Sequence, residues 1–413
     1  MEAVDLTQVP VVDNHCHGVK RDQTFKVLTS WRRTFTESAD PGMVRDHVAS
    51  TAFYRRLIRT LADFLDCEPE EEAVFQARSE RDGRELTAAL LGEANVDTLL
   101  LDTGFPPPEE VLSVPELGEL AGCRAEPMLR LEILMEDLLE EHDSLADTET
   151  ALTTALDDVR GRGYVALKSI AAYRTGLEVR EWPRKDAEES FREYRRAAEA
   201  GSARLVHKPL LDTLLHVAFA QAARQEVPVQ FHVGYGDADT DLLLGNPLYL
   251  RPVLGRPDYR GMPVVLLHEC YPYTRQGGYL AAVYENVYLD LSYGIPLLGY
   301  AEMLSSTRQA LGVAPSSKLM YSSDGIGVPE LHWNSAIDGR RVLGESLGEM
   351  VSHGELNLPE AEAAGESILR TNAKRLYKLQ DDSQKLPPSA HSATSENNTT
   401  QIPDKRSPKG VAC

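Results

Sequence analysis

Residues 11–17 read VVDNHCH, an apolar run that stops on two histidines, His15 and His17, set two positions apart. Alternate residues of a strand project to one side, so both imidazoles can reach a single metal ion while Cys16 is turned away. The same design recurs along the chain. Short apolar segments at 9–15, 96–103, 127–132, 164–170, 227–233, 263–269, 287–293 and 319–325 alternate with polar or helical sequence, including helical stretches at 190–199, 211–225 and 278–284. Continuous apolar runs suit strands buried on both faces, as in parallel sheets. Eight such units point to a closed α/β architecture, the (β/α)8 TIM barrel.

In that architecture every carboxyl strand end opens onto one face. His232 lies near the end of the fifth segment, VPVQFHVGYGD, and His268 near the end of the sixth, PVVLLHECYPY. Asp324 ends the eighth, LMYSSDG, and Lys168 lies near the end of the fourth, YVALKSI. Six ionisable residues from five strands therefore meet at one mouth. Neutral imidazoles with a carboxylate form a nitrogen and oxygen donor set for a divalent ion, zinc first and manganese as the alternative, with one or two ions open. Such an ion lowers the pKa of water towards ~7 and polarises a carbonyl. Asp324 is placed to take a proton from water and deliver it to a leaving group. His268 either binds a second metal or donates a hydrogen bond to a developing oxyanion. Lys168 and, in KSIAAYRTGL, Arg174 are read as anchors for a substrate carboxylate.

VDNHCH, FHVGYGD, LLHECYPY and YSSDG, in this order, resemble the amidohydrolase superfamily. SWRRTFTES, LKSIAAYRTGL and NAKRLYKL narrow the resemblance to the amidohydrolase-related (amidohydrolase 2) branch, which also forms the amino-terminal domain of fungal FluG and of plant nodulin/glutamine-synthetase-like fusions. It covers roughly residues 9–379. The resemblance implies a metal held by His15, His17, His232 and Asp324, with His268 as a further ligand or acid/base. It implies hydrolysis of a C–N or ester-like bond, with decarboxylation or isomerisation in a minority of members. In some relatives a strand-four lysine is carbamylated and bridges two metals, a second role open to Lys168. No glutamine-synthetase-like half follows residue 379, so no link to glutamine synthesis is expected. The sequence reading is a metal-dependent hydrolase acting on a C–N bond of a small carboxylated molecule. Its rivals are a non-oxidative decarboxylase on the same site and a non-catalytic scaffold barrel.

The remaining sequence bounds this reading. The chain has 413 residues, 42% of them hydrophobic, enough for one barrel domain over 1–380. The net charge of −21 argues against nucleic-acid and membrane-surface partners, and 27 Asp and Glu against 5 Lys and Arg between Asp63 and Asp158 carry the imbalance. Five scattered cysteines without a CxxC pair fit a reducing compartment, and the absence of a signal peptide or long apolar run predicts a cytoplasmic protein. No GxGxxG or phosphate loop calls for a nucleotide. The first connection, about 19–90, is expected to be a helical insertion, with Phe53, Leu57, Leu61, Phe64 and Leu65 at helical spacing; a cap and a dimer surface both fit it, and a homo-oligomer suits the fold. Arg32 and Arg33 either join the anion pocket or bridge Glu37 on the surface. Glu132 is expected to close strand three. Residues 381–413, rich in Ser, Thr, Asn and Pro, are expected to be a disordered tail.

Overall fold

The computed structural model describes residues 3–201 and 204–380; the tail expectation, including Cys413, lies outside the described residues. Eight parallel strands follow chain order around a (β/α)8 barrel: β1 (Val11–Cys16), β2 (Val96–Asp102), β3 (Arg124–Arg130), β4 (Ala166–Ser169), β5 (Val229–Phe231), β6 (Val264–Leu266), β7 (Val287–Ser292) and β8 (Leu319–Ser322). All eight coincide with the apolar segments read from the sequence. The third ends two residues early, so Glu132 falls in the first turn of the helix Leu131–Glu141, where it is buried and accepts a hydrogen bond from Ser169 Oγ (2.7 Å).

Seven adjacent pairs are joined by ladders. Among the described residues, β8 and β1 share none. That seam is closed instead by Asn14 Nδ2 to the Tyr321 carbonyl (2.8 Å), Asp324 N to the His15 carbonyl (3.0 Å), His17 N to the Gly325 carbonyl (2.8 Å) and a parallel bridge of Val19 with Gly327. β1 also carries a register irregularity between Asp13 and Cys16.

The long connection after β1 is helical because its apolar residues recur on one face. In Ala52–Leu65, capped by Thr51, Phe53, Leu57, Ile58, Leu61 and Leu65 are buried. This helix packs beside Pro329–Ser352 through the Arg56–Asp338 ion pair (2.8 Å) and the Phe64–Trp333 rings. The helix Gly83–Glu93, capped by Asp82, contacts both Pro329–Ser352 and Val114–Ala121, which is the place of the barrel's own first helix. Arg32 does not bridge Glu37 on the surface. It is buried, with two bonds to Glu71 (2.7 and 2.6 Å), because the helix Glu71–Ser79 brings that carboxylate to it, where the Tyr54 hydroxyl of Ala52–Leu65 also donates to Glu71 (2.6 Å).

The lumen is filled from below. Val12, Leu100, Met128, Ala166, Val265, Leu267 and Met320 pack with Ala373, Leu376, Tyr377 and Leu379 from the carboxyl-terminal helix Asn372–Tyr377 and its end. Above them runs a polar tier. Gln230 Nε2 donates to the Tyr377 hydroxyl (2.7 Å) and the Asn14 carbonyl (2.7 Å), Tyr377 donates to Asn14 Oδ1 (3.1 Å), and Asn14 donates to Asp290 (3.1 Å). No helix among the described residues is long and apolar enough to cross a membrane.

Candidate metal centre

Above that tier the carboxyl strand ends bring together five of the six residues singled out in the sequence around the carboxylate of the sixth, Asp324. Gln230 spends its amide on Asn14 and Tyr377, which leaves its Oε1 to accept Nδ1–H of His15 (2.8 Å). His17 donates its Nδ1–H to the Phe105 carbonyl (2.8 Å). Both rings therefore present Nε2, at 3.5 and 3.7 Å from Asp324 Oδ1, and these three ligand atoms lie within 4.8 Å of one another. Outer hydrogen bonds that fix the tautomer in this way are the usual support of metal-binding imidazoles. His232 is turned the other way: its Nε2–H is held by the Tyr235 carbonyl (2.6 Å), leaving Nδ1, and its ring lies 4.5 Å from that of His268.

The other oxygen of Asp324 is contested. Tyr235 donates its hydroxyl to Oδ2 at 2.5 Å, and His268 Nδ1 stands 3.3 Å from the same atom. Both ring nitrogens of His268 are buried without a hydrogen-bond partner among the described residues. His268, Glu269 and Cys270 all have positive φ (62°, 52° and 54°), a left-handed turn that non-glycine residues adopt only under constraint. Here the constraint is the bond from His268 N to Asp290 (2.6 Å) and those from Cys270 and Tyr271 back to Leu267 and His268.

Burial sets the protonation states. It holds His15, His232 and His268 well below the usual imidazole range, with the Lys168 ammonium adding to the effect at His15 and His232, and brings His17 down to about 4. All four rings are therefore neutral near pH 7, the form that binds metal. Burial likewise pushes the Asp324 carboxyl up and the Lys168 ammonium down, with Asp102 opposing the latter change. Lys168 Nζ lies 3.2 Å from His15 Nε2. Arg174 Nη2 stands 3.6 Å from Glu136.

The family model described as amidohydrolase matches residues 105–379. The chain belongs to the amidohydrolase family. His15 and His17 precede the span matched by the amidohydrolase model. The fluG protein of Emericella nidulans is 35% identical over 270 residues, which is 62% of this chain and 30% of that protein's length. A solved structure of a candidate metal-dependent hydrolase from Lactobacillus casei ATCC 334 is 29% identical, covers 91% of this chain and 98% of its own, and superposes with a TM-score of 0.79. Uronate isomerase from Thermotoga maritima shares the fold at 15% identity, with a TM-score of 0.63 over 90% of this chain and 95% of that one.

Several members of this amidohydrolase site were not singled out in the sequence. Gln230 had a signal, since it stands two residues before His232 on one strand and so on the same side. Asp102 and Arg130 end β2 and β3 and form a buried pair (2.6 Å) beside His17 and Lys168. Arg130 was missed because strand three was read as ending at Glu132. Tyr235 left no such signal: it reaches Asp324 from a loop, at a position that strand periodicity does not govern.

Proposed function

We propose that this amidohydrolase is a metal-dependent hydrolase that cleaves a C–N bond of a small carboxylated molecule. The observation that carries the reading is the convergence of His15 Nε2, His17 Nε2 and the Asp324 carboxylate, with each imidazole's other nitrogen already tied to an acceptor. The donor set fits a divalent ion, zinc first and manganese as the alternative, held by His15, His17, Asp324 and Nδ1 of His232. When bound, such an ion supplies Lewis acidity, lowering the pKa of water and polarising a carbonyl.

The chain's own residues do the rest. Asp324 accepts a proton from water and passes it to the departing amine. Its raised proton affinity in this buried setting favours the first of these transfers, and the Tyr235 hydroxyl holds the carboxylate in one orientation. His268, fixed by its left-handed turn, donates a hydrogen bond to the oxygen that gains charge. Lys168 anchors the substrate carboxylate, with Arg174 as a second cation, and Asp102 helps to keep the lysine charged against burial and the neighbouring Arg130 guanidinium. The similarity to the Lactobacillus casei protein supports a metal-dependent hydrolase. The reading includes a cytoplasmic enzyme with a small-molecule substrate.

The test is product analysis of zinc- or manganese-loaded protein on a panel of N-acyl amino acids and carboxylated amides. Amine release that disappears in Asp324→Asn supports the reading. Release of CO2 without amine, or turnover of no panel member, overturns it.

A further inference from the structure

Asp13, Cys16 and His332 form a second buried group with ligand atoms within 4.8 Å of one another, on the far side of β1 from the histidines. The bonding speaks for a different use than metal binding. Asp13 Oδ1 accepts the backbone N–H of Ser323 (2.8 Å), and Oδ2 accepts the Ser323 hydroxyl. Cys16 Sγ donates to the Leu100 carbonyl (3.5 Å). Each carboxylate oxygen and the thiol therefore already has a protein partner.

What this group holds is the residue before Asp324. While donating to Asp13, the Ser323 hydroxyl accepts from Gly325 N (2.9 Å), and His332 Nδ1 lies 3.4 Å from it. One hydroxyl is thus tied to the residues on both sides of Asp324. The surroundings leave no slack: a Cβ on Gly325 would stand 2.6 Å from the His332 ring, and one on Gly294 would stand 1.9 Å from the Ser323 carbonyl oxygen. Asp324 itself has φ of 51°, a left-handed conformation that persists only when its neighbours are fixed. It lies at the seam where β8 and β1 share no ladder, so the position of its carboxylate relative to His15 and His17 depends on bonds such as these.

We propose that Asp13 and Ser323, backed by His332, are positioning residues that clamp Asp324 against the two histidines of β1. One strand then carries both the imidazoles and the clamp, two residues apart. The proposal rests on the metal-centre reading above. Residues that orient metal ligands from behind typically contribute 10–100-fold to metal affinity.

The test measures zinc dissociation constants by chelator competition for wild type, Ser323→Ala, Ser323→Thr, Asp13→Asn and His15→Ala, with near-ultraviolet circular dichroism as the check on folding. Ser323→Ala and Asp13→Asn should bind zinc about 10–100-fold more weakly. Ser323→Thr, which keeps the hydroxyl but adds a methyl at a fully buried position, should bind zinc more tightly than Ser323→Ala, and the metal content at saturation should not change. A folded Ser323→Ala protein with wild-type affinity, beside a weakened His15→Ala, overturns the clamp and leaves the centre standing. If His15→Ala also binds as wild type, the centre and the clamp fall together. Loss of one ion per chain in Cys16→Ser, with loss of a thiolate-to-metal band in the cobalt-substituted protein, overturns the clamp in favour of a metal site at the cluster.

Discussion

The same strands build two tiers of the barrel lumen that could hardly differ more. Leu100 and Asp102, Met128 and Arg130, and Ala166 and Lys168 are each two residues apart on one strand, so each pair projects to one side, apolar below and charged above. The lower tier gains from removing hydrocarbon from water. The upper tier buries imidazoles, carboxylates and an ammonium at a cost that their mutual hydrogen bonds only partly offset. On β2, β3 and β4 the apolar residues of the lower tier thus stand one step along the strand from the charged residues at the mouth.

Substitutions in the two tiers should fail in different ways. The largest effect is expected from Asp324→Asn, which keeps the shape but removes the proton acceptor. Its kcat should fall by about 10²–10⁴-fold with the urea midpoint nearly unchanged. A midpoint that collapses with activity would erase the distinction between the tiers. Met128→Ala in the lower tier should do the reverse, costing about 2–5 kcal/mol in urea unfolding while the folded fraction binds metal as wild type does.

The pH dependence of stability sharpens the comparison. Burial, only partly offset by the nearby Ser306 hydroxyl, pushes the Glu269 carboxyl from 4.5 up to about 8. Between those values the native protein keeps a proton that the unfolded chain has lost, so stability falls as pH rises through the window. Glu269 alone contributes at most about 1.4 kcal/mol per pH unit to that fall. Glu269→Gln should therefore show a shallower decline from pH 5 to pH 8 in urea titrations, whereas Met128→Ala should keep the wild-type slope. Equal slopes in wild type and Glu269→Gln would show that this carboxyl is not protonated in the native state.

The sequence made the ladder order and the convergence of His15, His17, His232, His268, Lys168 and Asp324 legible, because strand ends and period-two alternation are local properties. What escaped depends on where strands bend or loops return. Asp13 stands in the motif itself, but the irregularity between Asp13 and Cys16 breaks simple alternation and sends its carboxylate to Ser323 rather than into the lumen. Arg32 was read as joining the anion pocket or bridging Glu37 on the surface because its partner, Glu71, lies 39 positions away on another helix. Tyr235 became a partner of Asp324 only through the fold of the loop after β5.

The central claim is that His15 and His17 hold a divalent ion with Asp324. It is tested most directly by elemental analysis of wild type and His15→Ala/His17→Ala, purified without added metal and again after zinc or manganese is supplied. The account predicts stoichiometric metal in wild type and none in the folded double variant. Equal metal in both proteins, or none in wild type even after metal is supplied, would contradict it.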